Sequence, residues 1–284
     1  MKTCGGHTLI EVLISSSIGL VLILGSTQFF TNTQKLLALY ETQNLIQENN
    51  LYAINEIATD LRMAGYWGIN SDIKSIVRDT SGDVHCRHTN VSDWALNTDF
   101  PVSHSNNTYD LPCKAEGDPA GHADTLTLRH ASSSTSEPEN DYVQLLTDYR
   151  RGYLHQLSNP DESGLQSPRN YRVIVHSYFI ATDTPSGLPE LRRWALAKNA
   201  QFRNELVIDG ISNLQVRFAT PTQYPEDPHW SDQYSAGANQ ALIVVTGSAK
   251  LGNDLISKQL SRTVTLKNSD NNYVLKAPGA EPPR

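Results

Sequence analysis

Residues Thr8 to Phe30 read TLIEVLISSSIGLVLILGSTQFF, about 23 residues with one ionisable side chain, Glu11. That matches the roughly 20 apolar residues a helix needs to cross hydrocarbon. The flank before it, Met1 to Gly6, is short and polar with one charge, Lys2. A cation on the short side and export of the long side follow the positive-inside tendency. A cleaved secretory signal should carry an apolar core of about 7–15 residues closed by a small-residue site. This run is longer, and Gln28 to Thr33 offers no such site. A plain signal anchor explains the length but leaves Glu11 without a reason. A charged side chain at the centre of a membrane helix costs roughly 2.5–3.5 kcal/mol, and less toward an end. Glu11 is therefore expected to have a partner.

The helical pattern does not stop at Phe30. No proline occurs until Pro101, and Leu36, Leu37, Leu39, Leu45, Leu51, Ile54, Ile57, Ala58 and Leu61 keep a helical rhythm. The last five, at i, i+3, i+6, i+7 and i+10, predict the apolar stripe of an amphipathic helix. Glu48, Glu56, Asp60 and Arg62 are expected on its polar side, and Gly65 and Gly68 supply a stop. One helix from Thr8 to Ala64 would be roughly 85 Å long. Its first half would sit in lipid or in a bundle of helices. Its second half would pack on a globular head.

After Gly68 the period changes to two. Ala123 to Arg129, Tyr171 to Ala181, Leu214 to Ala219, Gln240 to Ser248 and Arg262 to Lys267 read as strands, with shorter ones at Tyr142 to Leu146 and Leu191 to Trp194. Loops rich in Asn, Asp, Ser, Pro and Gly separate them: Asn70 to Asp118, Ser132 to Asp141, Ser158 to Asn170 and Thr220 to Gly237. Loops this long point to functional or disulfide-tied excursions. The expected fold is α+β, one long N-terminal helix packed on a large, mostly antiparallel sheet. The head is expected over residues 69–275, with a frayed tail over 276–284.

Composition narrows the function. The 284 residues carry 23 Lys+Arg against 30 Asp+Glu, a formal charge of −7, and no basic stripe. Nucleic-acid binding needs clustered cations, so none is expected. Three cysteines are present: Cys4, Cys86 and Cys113. If the head is exported, Cys86 and Cys113 can pair, closing a loop of about 27 residues worth roughly 3 kcal/mol. Two buried thiols are the alternative. A zinc site from His85, Cys86 and His88 with Cys113 and His122 ranks lower, because the second pair lacks matching spacing. No nucleophile elbow, zinc-protease motif, phosphate loop or C-x-x-C occurs. The oxygen-rich stretches Pro225 to Trp230 and Ser269 to Asn272 lack the calcium-loop pattern and read as solvated turns. No catalytic residue, cofactor or metal is expected, so the chain reads as no enzyme. Ser15 to Ser17 and Gly19 form a small-residue patch that would permit close helix approach.

The segment Gly6-His7-Thr8-Leu9-Ile10-Glu11 resembles the type III leader junction of prepilins, in which a Gly precedes the cut and the fifth mature residue is Glu. The resemblance places residues 1–6 in a leader, the cut between Gly6 and His7, and residues 7–68 in the pilin helix, its span at about 8–30 and its amphipathic half at about 31–64. It implies that Glu11 pairs with the new α-amino group of a neighbouring subunit, neutralising both charges. The family usually carries Phe or Met at the first mature position, so His7 departs from it and N-methylation there stays open.

Leu45 to Gly68, LIQENNLYAINEIATDLRMAGYWG, is similar to the helix end of PilW-type minor pilins, where a Q-E-N run leads to D-L-R-x-A-G-Y. Gly187 to Trp194, Glu205 to Phe218 and Leu260 to Asn268 resemble later blocks of those chains, whereas Asn70 to Asp118 resembles little in them. The family implies a minor type IV pilin that helps prime pilus assembly and enters the pilus near its tip. It implies a prepilin peptidase, the major pilin, other minor pilins, a tip adhesin and the pilus assembly platform as partners. It also implies an inner-membrane anchor with the head in the periplasm, then the cell surface. A J-type pseudopilin of type II secretion shares leader, helix and β-rich head. A membrane-anchored enzyme or sugar-binding protein would instead show a polar ligand pocket and indifference to Glu11.

Overall fold

The computed structural model describes residues 8–78, 82–115, 117–157, 159–220, 229–235 and 237–266. Helix α1 (Leu9–Met63) runs 55 residues without a break, about 80 Å at 1.5 Å per residue. It ends where the chain supplies glycine. The Ala64 N–H donates to Asp60 O at 2.9 Å. Gly65 and Gly68 then take φ of 77° and 66°, a region closed to most side chains. The Gly65 N–H donates to Arg129 O at 3.0 Å, fixing the turn to the head.

The chain then forms β1 (Ile76–Arg78), β2 (His85–Cys86), β3 (Thr89–Asn90), the short α2 (Ser92–Ala95) and β4 (Val102–Ser105). There follow β5 (Thr125–Thr135), β6 (Gln144–Thr147), β7 (Gly152–His155), β8 (Arg169–Ala181), β9 (Glu190–Leu196) and β10 (Phe202–Asp209). The last strands are β11 (Ile211–Thr220), β12 (His229–Ser231), β13 (Gln240–Leu251) and β14 (Asp254–Thr265). An eight-stranded sheet has the order β1-β7-β6-β8-β5-β4, with β9 beside β8 and β10 beside β9. A four-stranded sheet has the order β12-β11-β13-β14. Among these pairs β1–β7 is parallel, and the others are antiparallel. The α+β architecture expected from the sequence is the one formed.

Two cores share the large sheet. In the first, Ile54, Ile57, Ala58 and Leu61 of α1 meet Leu126, Leu128, Tyr178 and Ile180 from that sheet and Leu214, Val216, Ile243 and Val245 from the smaller one. In the second, Val173, Val175, Phe179 and Trp194 point to the opposite face, where Val84, Val91, Ala95 and the two cysteines cover them. Strand β8 feeds both, Tyr178 and Ile180 to one side and Phe179 and Ala181 to the other, as the two-residue period dictates. The segment from Val84 to Ala95, with Cys113, therefore closes the back of the sheet, whereas β1 and β4 from the same stretch, expected to be a loop, join the ends of the sheet itself. Arg129 holds that layer from within: its guanidinium donates to Trp94 O, Phe100 O and Ser103 Oγ at 2.8–3.0 Å. Burial lowers its pKa to about 10.

The structure departs from the sequence reading at further points. Leu45 and Leu51 lie outside the buried stripe of α1, at 51% and 45% exposure. The buried set is Ile46, Asn50, Ala53, Ile54, Ile57, Ala58 and Leu61; at about 100° per residue, Leu45 falls on the far side from Ile54. The strand expected over Arg262 to Lys267 begins instead at Asp254, because Gly252 takes φ 63° and lets Leu251 pair with Asp254 across a tight turn. Strand β10 was masked by polar residues at Arg203, Asn204 and Glu205 along an edge strand.

Candidate assembly helix and its clamp on the head

The two halves of α1 meet different surroundings. From Leu9 to Phe30 every large apolar side chain is more than half exposed, Leu9 at 80% and Phe29 at 74%. Contiguous apolar surface of that extent is foreign to a water-facing helix. Its length and composition suffice to cross a membrane. The backbone needs nothing from outside, since helix bonds satisfy it internally. Three of its hydroxyls bond back to the helix: Ser15, Ser16 and Ser17 donate to Glu11 O, Leu13 O and Ile14 O at 2.8–3.0 Å. Thr31 and Thr33 do the same to Gln28 O and Phe29 O. This local back-bonding lets small polar residues face lipid or another helix without a stranded donor. A Cβ built on Gly19 or Gly25 would meet nothing within 4 Å, so both leave room for a neighbouring helix.

Glu11 lies in the first turn of α1, exposed, with its N–H donating to Thr8 O at 3.0 Å. Its carboxylate thus sits at the helix N-terminus, where the helix dipole favours a negative charge. Gly6 and His7, expected to flank the cut, lie outside the described residues.

The other half of α1 is locked to the head by polar groups as well as core. Asp60 was expected on the polar side; it is turned inward, with only 13% of its side chain exposed. Its Oδ2 accepts from His176 at 2.6 Å and from the Tyr178 hydroxyl at 2.5 Å, both on β8. His130 Nε2 on β5 stands 3.8 Å from Oδ1, too long for a hydrogen bond. Burial pushes the Asp60 carboxyl up; His130, His176 and Tyr178 together outweigh it and hold the group well below the usual carboxylate range. Burial and the Asp60 charge push the Tyr178 phenol well up, so it stays a donor.

Further contacts flank this clamp. Arg193 on β9 bridges Glu56 of α1 at 2.7 Å and Glu205 of β10 at 3.0 Å. Asn49 donates to Asp209 O at 3.1 Å, and Asn50 to Lys258 O at 2.9 Å. The helix approaches β13 so closely that a Cβ on Gly247 would stand 2.5 Å from Asn50 Oδ1 and 2.9 Å from Ile46 Cγ2.

Sequence reading missed the clamp, and a faint signal was present: His176 and Tyr178 sit two apart, flanked on the same face by Ile174 and Ile180. It also missed the latch between the sheets. There Asp124 accepts from His104 Nε2 at 3.0 Å, Asn107 N at 2.9 Å and Val216 N at 2.7 Å. The disulfide between Cys86 and Cys113 is formed, with Cα atoms 5.5 Å apart. The zinc alternative loses its thiolates to that bond. Among the described residues no three His, Cys, Asp or Glu gather in a way that could hold a metal. Of the two calcium alternatives, His229 and Trp230 lie in β12, and the remaining residues lie outside the described ones.

A search of curated proteins gave no match to this chain. One family model does match, the prokaryotic N-terminal methylation motif, over residues 1–27. That stretch contains Gly6, His7, Glu11 and most of the apolar half of α1. Matched there, and joined through one unbroken helix to a large antiparallel head, the chain is type IV pilin-like, in the sense that covers pilins and pseudopilins alike.

Proposed function

We propose that this chain is a minor type IV pilin of the PilW type, a structural subunit that performs no bond chemistry. A prepilin peptidase removes Met1 to Gly6, leaving His7 as the first residue. The subunit waits in the inner membrane through the apolar half of α1, its head in the periplasm. It then joins the major pilin, other minor pilins and a tip adhesin at the assembly platform, and enters the pilus near its tip. The observation that carries this reading is the placement of Glu11: a carboxylate in the first turn of a 55-residue helix whose outer half the head leaves uncovered. A lone anchor has no use for such a charge, whereas a neighbour's new α-amino group would neutralise it in an apolar setting.

The test is processing and piliation in a deletion strain complemented with wild type, Gly6→Ala or Glu11→Ala. Gly6→Ala is expected to keep the leader, read as intact mass of the purified protein. Glu11→Ala is expected to be processed but to lower surface pili at least tenfold. Full-rate cleavage of Gly6→Ala, or normal piliation with Glu11→Ala, would overturn the proposal.

A further inference from the structure

On the large sheet, β1, β7 and β6 lie away from α1, which packs against β13, β14, β10 and β5. At their tip the turn joining β6 to β7 opens a cavity of about 540 Å³, lined by Asp148, Tyr149, Arg150, Arg151, Gly164 and Gln166. That size suits a small ligand. The turn is rigid. The Asp148 carboxylate accepts from the N–H groups of Arg150 and Arg151 at 2.7 Å and of Gln166 at 3.0 Å. These bonds hold it below its ordinary pKa, with a smaller contribution from the Arg151 charge. The Tyr149 carbonyl accepts from the hydroxyl of Ser71 at 2.6 Å and from its N–H at 3.2 Å. Thr147 Oγ1 and the Asp148 N–H both donate to Arg151 O. The backbone is thus tied on three sides, while the side chains of Tyr149, Arg150 and Arg151 are exposed, Tyr149 at 67%.

The chemistry of the rim is specific. Among the described residues neither guanidinium lies within 4 Å of a carboxylate, whereas those of Arg78, Arg172, Arg192, Arg193 and Arg217 do. The one acid in the lining, Asp148, spends its oxygens on backbone N–H groups. In a chain of formal charge −7, two adjacent guanidiniums beside an open hollow form a local cationic spot. A guanidinium fork matches the plane of a carboxylate. An exposed tyrosine offers a flat apolar face with a polar tip, which fits the C–H face of a sugar ring. The Gln166 side chain adds both a donor and an acceptor for hydroxyls.

We infer that this hollow binds an acidic saccharide, its carboxylate on Arg150 and Arg151 and one ring against Tyr149. The inference does not depend on assembly: the site lies on the head, remote from Glu11. A single-stranded nucleic acid is disfavoured because it needs a track of cations along several phosphates, and the hollow supplies two.

The test uses the full chain in detergent, titrated with trigalacturonate, maltotriose or a thymidine oligonucleotide. Trigalacturonate is expected to bind at least tenfold more tightly than maltotriose, and the preference to shrink as salt rises. Arg150→Ala with Arg151→Ala should weaken trigalacturonate binding at least tenfold with an unchanged melting temperature. Tyr149→Ala should weaken both sugars, and the double lysine variant should retain part of the acidic preference. Equal binding of the two sugars, no binding at 10 mM (about 3 kcal/mol of affinity), wild-type affinity in the double alanine variant, or tighter binding of the oligonucleotide would each overturn the inference.

Discussion

The same helix is two different objects along its length. Between Leu9 and Phe30, α1 has its apolar side chains on all sides and all exposed; between Ile46 and Leu61 it has one buried stripe and a back that is polar apart from Leu51 and Tyr52. The backbone is alike in both halves. What differs is the solvent each was written for: hydrocarbon or neighbouring helices for the first, a protein head for the second. Hydrophobicity without direction marks one, and direction marks the other.

Substitutions can set the halves against each other. Leu61→Ala should have the largest effect on the head, about 2–5 kcal/mol, because Leu61 is fully buried and truncation leaves a cavity. Leu13→Ala should leave the melting temperature of detergent-solubilised protein unchanged, since Leu13 touches none of the head's core. Equal losses at the two positions would erase the contrast.

Gly247→Ala should cost roughly 1–3 kcal/mol in denaturant melts, because the added methyl meets Asn50 and Ile46 below normal contact distance. Asp60→Asn probes the clamp through pH. The folded carboxyl is held below its ordinary value of 3.8, so its contribution is fully present above that value and is lost progressively as pH falls from there through the lower folded value. The wild type should therefore lose stability more steeply than Asp60→Asn below pH about 4, read as melting temperature against pH. Within the head-bound half of the helix the smallest effect belongs to Leu45→Ala, within about 0.5 kcal/mol, since Leu45 lies on its exposed back. A larger loss would mean that this back is covered.

Legibility followed the same divide. The span, its continuation into the head and the glycine stop were readable because they depend on local rules of length, period and φ. Strands with clean alternation, such as β8 and β13, were readable for the same reason. Of the long β14 only the end from Arg262 was readable, because most of its residues face out and carry Ser, Lys, Gln and Arg, which dims the alternation. The side on which Leu45 and Leu51 would fall was beyond reach, since several stripes fit a helix so rich in leucine. The disulfide was accessible as one of three alternatives. The Asp60 clamp and the Asp124 latch join residues more than 90 positions apart, and nothing local in the sequence ties such distant groups together.

The stretch from Ile46 to Leu61 also decides how the molecule carries traction. Its grip on the head runs along the helix axis for about 22 Å, from the close approach at Gly247 to the carboxylate at Asp60. A pull on the Leu9 end loads these contacts in shear, so they share the strain and must give way together. A helix held only at its tip would peel from one end, contact by contact. Placing the polar clamp at the last turn makes the final anchor the one furthest from the pull.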